Sequence, residues 1–147
     1  GSIKERLAHE LERAARNGKA AAVAMVDIDH FKGINDRFGH PMGDQVLATV
    51  ALQMQLEQRA TDTMARWGGE EFVVVCPNTT LDTAIGLAQR MRERVGAYGF
   101  PTVGHVTLSI GVAQYKTPES WRDWLKRADQ ALLVAKGHGR DRVSSAA

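Results

Sequence analysis

Pairs of carboxylates at two places in the chain carry the clearest chemical signal. Asp27 and Asp29 end the apolar run "AAVAMVDID", and Glu70 and Glu71 follow two glycines in "RWGGEEFVVV". The first pair lies at the C-terminal end of a predicted strand, and the second pair lies at the N-terminal end of another. If these strands are antiparallel neighbours, the two ends coincide. Three or four carboxylates at one edge repel one another unless a cation neutralises them, so the pattern predicts a Mg²⁺-type site.

Each pair also has an ordinary explanation. Two glycines followed by glutamates are typical of a solvated hairpin, since positive φ angles cost little only for glycine. Asp-Ile-Asp at a strand end is typical of a turn. Either explanation is favoured when its pair is considered alone. The convergence of both pairs on one predicted edge favours the cation site.

The elements that position these acids follow from hydrophobic spacing. Helical spacing predicts helices over 3–18, 44–59, 79–96 and 118–140, and apolar runs predict strands over 21–29, twice within 63–76 around the two glycines, and over 105–115. The polar, glycine-rich segment between the first strand and the second helix is interpreted as a connection, with Pro41 in the first turn of that helix.

This order of elements predicts one α/β (α+β) domain over residues 1–147. A hairpin inside the pattern requires a sheet that is at least partly antiparallel, which argues against a purely doubly wound fold. The length of 147 residues and the hydrophobic content of 44% suit one core. Gly1 and Ser2 resemble a cloning scar, so we expect an upstream region that is absent from this sequence.

Composition excludes several classes of partner. The net charge of +2 gives no global field for DNA, RNA or a membrane surface, and we expect this domain to contact none of them. The single cysteine, Cys76, cannot form an internal disulfide and is compatible with a reducing compartment. No run approaches the roughly 20 apolar residues of a membrane span. The cytoplasm is therefore the expected location, with a membrane anchor in an upstream region left open.

Several separated motifs resemble one family. The segments "MVDIDHFKGINDRFGHPMGDQVL", "RATDTMARWGGEEF", "SIGVAQY" and "WLKRADQALLVAKGHGRDRV" are similar to the GGDEF domain of diguanylate cyclases in its Glu-Glu variant, over Ala21 to Val143. The resemblance implies a palm-like fold, with a mostly antiparallel sheet of about five strands flanked by helices, similar to class III nucleotide cyclases. It also implies condensation of two GTP molecules into cyclic di-GMP with release of two pyrophosphates.

The resemblance assigns roles to the acids. Asp27 and Glu70 would hold two Mg²⁺ ions in each half-site, with Mn²⁺ as a substitute, and the carbonyl of Ile28 would be a further ligand. Glu71 would assist at the second ion. Glu70 would also activate or orient the ribose 3′-hydroxyl, although metal-bound hydroxide or bulk water are alternative proton acceptors.

The same resemblance supplies substrate contacts. Asn35 and Asp44 would recognise guanine, because a carboxylate accepts hydrogen bonds from its ring N–H and exocyclic amine. Without the family context, Asn35 is read as a turn residue and Asp44 as a helix-start acid. The other implied contacts are the amides near Phe31, Lys32, Lys136 and Arg140 for phosphates, Gly68 and Gly69 for close nucleotide approach, and His40, which lines the guanine pocket or packs in a loop. For Lys136 and Arg140 the alternative is pairing with a helix dipole.

The segment "RATD" is similar to the family's RxxD inhibitory motif. Arg59 and Asp62 would bind product cyclic di-GMP, and Arg90 would supply a second guanidinium. A surface salt bridge is the alternative explanation for the first two residues.

The symmetry of the product calls for a homodimer, because each site is expected to hold one GTP. Two further function classes stay open: a non-catalytic GTP or cyclic di-GMP receptor module, and a nucleotide cyclase that uses one substrate molecule. The chain departs from the family at the missing Leu-Thr-Gly-Leu-Pro-Asn-Arg-like segment, at Leu133 in place of a tyrosine, and at Asp141 in place of an asparagine.

Overall fold

The computed structural model describes residues 3–146, so the interpretation of Gly1 and Ser2 lies outside the described residues. The described elements are α1 (Ile3–Arg16), β1 (Ala21–Ile28), α2 (Phe31–Phe38), α3 (His40–Gln55), β2 (Thr63–Arg66), β3 (Glu71–Pro77), α4 (Leu81–Ala97), β4 (Leu108–Gln114), α5 (Trp121–Gly137) and β5 (Arg142–Ser145). Within this part of the chain, no helix has both the length and the apolar character needed to cross a membrane.

The five strands form one sheet in the order β2-β3-β1-β4-β5. β1 is the central strand and pairs antiparallel with β3 on one side and with β4 on the other. β2 extends the sheet antiparallel to β3, whereas β5 runs parallel to β4. The prediction of a mostly antiparallel five-stranded sheet flanked by helices is confirmed.

Helices cover both faces of the sheet, which explains why all eight residues of β1 are buried. Alternate β1 residues, from Ala22 to Ile28, pack in the core that α3 and α4 cover. The intervening ones, from Ala21 to Met25, pack in the core formed with α1 and α5. Trp124 of α5 is fully buried in this second core, and its indole N–H donates to the carbonyl of Ala113 at 2.9 Å. Successive side chains of β1 point into opposite apolar layers, so β1 is the rigid centre of the domain.

A glycine in β4 sets the distance between the sheet and α5. A Cβ atom on Gly111 would overlap the backbone oxygen of Ala128 and the backbone nitrogen of Leu132. Only a residue without a side chain permits this close helix crossing.

Two elements differ from the sequence prediction. The segment interpreted as a connection contains the helix α2, whose only buried residue is Phe31, and α3 begins at His40 rather than at Asp44. One buried aromatic residue in eight positions gives too little periodicity to indicate a helix. The short edge strand β5 was also missed, because its four residues are exposed or half-buried and follow a glycine-rich turn.

Candidate functional site

The two acidic strand ends meet, as the sequence predicted. Asp27 is opposite Glu71 in the register of β1 and β3. One residue further along, the amide of Ile28 donates to the carbonyl of Glu70 at 3.2 Å. The central strand and the GGEEF hairpin therefore bring the backbone of Ile28 and three carboxylate-bearing residues to one edge of the sheet.

Burial disfavours the ionised forms of two carboxyls at this edge. Asp27 is only 5% exposed, and its Oδ2 accepts a hydrogen bond from the ammonium of Lys136 on α5. Burial raises the pKa of Asp27, while the bond from Lys136 opposes the rise. The pKa of Glu71 is also raised, first by burial and then by the negative charge of Asp27. Additional positive charge at this edge would favour the ionised form of both carboxyls.

The donor set suits a hard cation. Asp27, Glu70 and the carbonyl of Ile28 offer oxygen atoms only, and Mg²⁺ needs just one or two protein carboxylates because it retains water and phosphate ligands. Within residues 3–146, no three His, Cys, Asp or Glu side chains are grouped as a ready metal site.

Asp29 differs from the other three acids because protein donors occupy its carboxylate, although its negative charge also contributes to the raised pKa of Asp27. Its carboxylate accepts hydrogen bonds from the hydroxyls of Thr107 at 2.7 Å and Ser109 at 2.6 Å, and from the amide of Asp141 at 3.0 Å. The side chain is fully buried. These donors already satisfy most of its acceptor capacity.

The two hairpin glycines do not have the positive φ angles that the sequence interpretation associated with them. Gly68 and Gly69 are not among the glycines with positive φ angles in the described residues. A Cβ atom on Gly68 would lie 2.9 Å from Oε1 of Glu71, so Gly68 provides space for that carboxylate. Arg66, which the sequence interpretation did not include, donates to the carbonyl of Gly69 at 2.7 Å and secures the loop.

The predicted guanine contacts lie on two packed helices. Asn35 is on α2, and the exposed Asp44 and His40 are in the first turns of α3. The side chain of Asn35 lies against Gly43, where a Cβ atom would coincide with Oδ1. That oxygen is buried and has no hydrogen-bond partner. The dipeptide Gly43-Asp44 thus contains the glycine that leaves space for the Asn35 side chain and one of the residues predicted to contact guanine.

The residues predicted to contact phosphates differ in how directly they touch the acidic residues. Phe31 is buried and Lys32 is exposed at the start of α2, four and five residues after Asp27 in the chain. Lys136 contacts Asp27 directly, whereas the guanidinium of Arg140 lies 4.0 Å from Asp29. Arg140 follows α5 rather than ending it, so a simple helix-dipole role does not describe its position.

The three residues proposed from the RxxD motif line one cavity of about 90 Å³, on the α4 side of the domain. Arg59 donates to the hydroxyl of Thr79, and its Nε is 4.0 Å from Oδ1 of Asp62. That Oδ1 is buried and has no hydrogen-bond partner. Arg90 pairs with Glu57 at 3.2 Å, a carboxylate that the sequence interpretation missed.

The fold and the acidic edge define a cyclase-like α/β domain. The chain belongs to the GGDEF family: the family model described as "Diguanylate cyclase, GGDEF domain" matches residues 1–142. Its signature is the Glu-Glu form, Gly68 to Phe72.

Relatives and solved structures support this assignment. Diguanylate cyclase DgcP of Pseudomonas aeruginosa is 42% identical over 148 residues, covering 99% of this chain but only 22% of that protein. The active GGEEF domain of a diguanylate cyclase from Vibrio cholerae is 36% identical with a TM-score of 0.88, and the match covers 95% of this chain and 90% of that one. The GGDEF domain of DgcB from Caulobacter crescentus, solved in complex with c-di-GMP, is 33% identical with a TM-score of 0.90, covering 97% and 87%.

Proposed function

We propose that this domain is a diguanylate cyclase that condenses two GTP molecules into cyclic di-GMP with release of two pyrophosphates. The observation that carries the proposal is the pairing of Asp27 with Glu71, beside the bond from the Ile28 amide to the Glu70 carbonyl. Carboxylates held on a rigid sheet edge suit attack of a 3′-hydroxyl on an α-phosphate, because this reaction needs fixed geometry and compensation of negative charge.

The residues at the edge divide the chemical work. Asp27, Glu70 and the Ile28 carbonyl would hold Mg²⁺, with Glu71 beside them. When bound, the metal supplies positive charge that stabilises the phosphoryl-transfer transition state. Glu70 accepts or orients the proton of the attacking 3′-hydroxyl. Burial raises the pKa of Asp27, and a bound cation would oppose this rise by favouring the ionised carboxylate.

The remaining contacts bind and orient the nucleotide. Lys136 and Arg140 receive the β- and γ-phosphates, and Lys32 and the amides near Phe31 provide further phosphate contacts. The carboxylate of Asp44 selects guanine by accepting hydrogen bonds from the ring N–H and the exocyclic amine of the base. Guanine also gives Asn35 a partner for a side-chain oxygen that is otherwise buried without one. His40 borders this pocket at the start of α3, and the small Gly68 and Gly69 leave room for the nucleotide beside the hairpin.

Turnover requires two copies of the domain. Cyclic di-GMP has twofold symmetry, and each domain offers one acidic edge, so two half-sites must face each other with their nucleotides antiparallel. The homodimer is therefore the catalytic form. An upstream region would supply the pairing.

The cavity of Arg59, Asp62 and Arg90 is proposed as an inhibitory product site. Two guanidinium groups suit phosphodiesters, and the unpaired Oδ1 of Asp62 suits a guanine N–H donor. The relative DgcB was solved in complex with c-di-GMP, which supports this class of ligand for the present chain.

Incubation with GTP and Mg²⁺, followed by mass analysis of the product, tests the activity. We expect cyclic di-GMP from the wild type and at least a 100-fold loss in Glu70→Gln, on the order expected for loss of a catalytic acid or base. Glu93→Gln, an exposed glutamate on α4, is the matched control. Absence of cyclic di-GMP even when dimerisation is enforced, or full activity of Glu70→Gln, would overturn the proposal. A cyclic mononucleotide would instead identify a cyclase that uses one GTP.

The second candidate function is a non-catalytic cyclic di-GMP receptor, which the same cavity favours. Tight binding of cyclic di-GMP without any turnover of GTP would identify this function. Retention of Asp27, Glu70 and Glu71 argues for the enzyme, since a receptor does not need them.

A further inference from the structure

Asp29 connects the acidic edge to the turn that follows α5. The residue comes directly after β1, and its carboxylate collects the hydroxyl donors of Thr107 and Ser109 from the neighbouring β4 side. The remaining donor is the backbone amide of Asp141, at 3.0 Å. Asp29 therefore joins three parts of the chain at a fully buried point.

The turn itself has a conformation that needs external support. Gly139, Arg140 and Asp141 have consecutive φ angles of 117°, 64° and 46°, all in the left-handed region. Such a conformation is unfavourable for Arg140, which lacks the freedom of glycine. The amide of Arg140 bonds to the carbonyl of Ala135 at 3.0 Å, and the bond from Asp141 to Asp29 closes the other side.

The end of α5 and the turn after it place two cationic side chains beside the acids. Lys136 is in the last turn of α5 and reaches Asp27, while the guanidinium of Arg140 is held 4.0 Å from Asp29. A guanidinium has five N–H donors, so this single ionic contact orients Arg140 and leaves most donors for a ligand. On the outer side, Arg92 of α4 bonds to the carboxylate of Asp141 at 2.9 Å.

We propose that Asp29 is a positioning residue that presents Arg140 to the phosphates of the nucleotide, and that it does not bind the metal. The inference rests on the proposed function, because it assumes that GTP binds with its phosphates beside Lys136 and Arg140. Asp29 acts through its bond to the Asp141 amide and its charge beside Arg140. A ligand to Mg²⁺ would instead keep its oxygens free of this many protein donors.

Asp29→Asn, compared with Asp27→Asn, separates the two roles. Affinity for a GTP analogue with a methylene bridge between the α- and β-phosphates, measured by calorimetry in EDTA, should fall about 10-fold in Asp29→Asn, as expected for loss of a charge-assisted hydrogen bond. KM for GTP should rise similarly while kcat stays within about 3-fold, the pattern of lost ground-state binding. The Mg²⁺ concentration for half-maximal activity should be unchanged in Asp29→Asn and raised in Asp27→Asn.

Two controls keep the test decisive. Asp141→Asn retains the backbone amide and tolerates a left-handed conformation, so it should preserve analogue affinity although it loses the pair with Arg92. Ser109→Ala removes one donor to Asp29 and should weaken analogue binding in the same direction, which provides a readout if Asp29→Asn does not fold. Unchanged analogue affinity in Asp29→Asn and Ser109→Ala, or a shifted Mg²⁺ requirement in Asp29→Asn, overturns the inference.

Failure of the proposed function has a different outcome. If the wild type binds the analogue in an Asp29-dependent way but makes no cyclic di-GMP, the catalytic proposal fails and the positioning role stands. If the wild type does not bind the analogue, the positioning role fails together with the nucleotide site.

Discussion

At the scale of single residues, a buried oxygen without a hydrogen-bond partner lies at each of the two proposed ligand sites. In the part of the chain that the structure describes, the side-chain oxygens that are buried without a hydrogen-bond partner are Oδ1 of Asn35 and Oδ1 of Asp62. One belongs to the proposed guanine pocket and the other to the proposed inhibitory cavity. A buried acceptor without a donor is unfavourable, so its retention suggests that a ligand supplies the donor.

Gly43→Ala tests the guanine pocket. The new Cβ would coincide with Oδ1 of Asn35 and lie 3.2 Å from Cζ of Phe31, so the Asn35 side chain must move away. We expect affinity for the GTP analogue to fall about 10-fold, the magnitude of one lost hydrogen bond. Gly33→Ala, with nothing within 4 Å of its Cβ, is the matched control and should bind normally. Equal affinity of the two variants would contradict this role of Gly43.

Glu57→Gln tests the charge balance of the inhibitory cavity. Glu57 pairs with Arg94 at 2.7 Å and with Arg90 at 3.2 Å, and the bond from Arg94 lowers the pKa of Glu57. Its carboxylate therefore competes with an anionic ligand for Arg90. Removing the charge should tighten cyclic di-GMP binding, measured by calorimetry, about 3- to 10-fold, as for one exposed charge at short range.

Glu93→Gln is the control for Glu57, since it removes an equal charge from α4 without touching the Arg90 pair. Weaker binding by Glu57→Gln would show that Glu57 instead preorganises Arg90 for the ligand.

Glu71→Gln tests the electrostatics of the acidic edge. The pKa of Glu71 is raised above its ordinary value of 4.5 in the folded chain, so the folded state binds its proton more readily than the unfolded state. This contribution to stability is complete below pH 4.5 and is lost as the pH rises through the raised pKa. In urea unfolding with EDTA, the variant should therefore gain stability relative to the wild type as the pH increases. A difference that does not depend on pH would refute the assignment.

At the scale of elements, β4 and α5 pack with their backbones in close contact at Gly111. Gly111→Ala places a Cβ atom 2.9 Å from the carbonyl carbon of Ala131 and in overlap with two further backbone atoms. Backbone cannot yield as a side chain tip can, so we expect a loss of about 3 kcal/mol in the free energy of unfolding, at the upper end of overpacking costs. Denaturant unfolding measures the loss, and Gly96→Ala, which meets nothing within 4 Å, should show none.

The elements that sequence reasoning recovered are those with a long periodic pattern. β1 and β3 are continuous apolar runs, and α4 and α5 repeat apolar residues at helical spacing over 17 residues each, so hydrophobic spacing identified all four. α2 and β5 bury too few side chains for a pattern to appear. Tertiary contacts rather than local propensity therefore determine these two elements.

The site was predictable where a motif placed a residue at a strand end and unpredictable where long-range contacts decide. Asp27, Glu70 and Glu71 meet because antiparallel pairing places the C-terminal end of β1 beside the N-terminal end of β3. Asp29 appeared equivalent to Asp27 in sequence, but its donors Thr107 and Ser109 are far along the chain. No local signal in the sequence distinguishes the carboxylate proposed to bind metal from the one that bonds to the turn after α5.

At the scale of the whole molecule, activity should depend on pairing. The described chain offers one acidic edge, so we expect the isolated domain to be mainly monomeric and its specific activity to rise with protein concentration. Light scattering at low micromolar concentration, together with initial rates across a dilution series, checks both expectations. Fusion to a dimeric coiled coil should raise activity and remove the concentration dependence. A tight dimer at low micromolar concentration would contradict the prediction.

The central position of β1 also constrains how the chain acquires its structure. β1 is formed by residues 21–28, yet its two partners are residues 71–77 and 108–114. During synthesis β1, which carries Asp27, emerges before both of its partner strands and exposes unpaired apolar edges until they follow. Such non-local pairing slows folding and favours aggregation of incomplete chains. The central position of β1 makes the finished site rigid, but it also means that the nascent domain cannot complete its sheet until β3 and β4 have been synthesised.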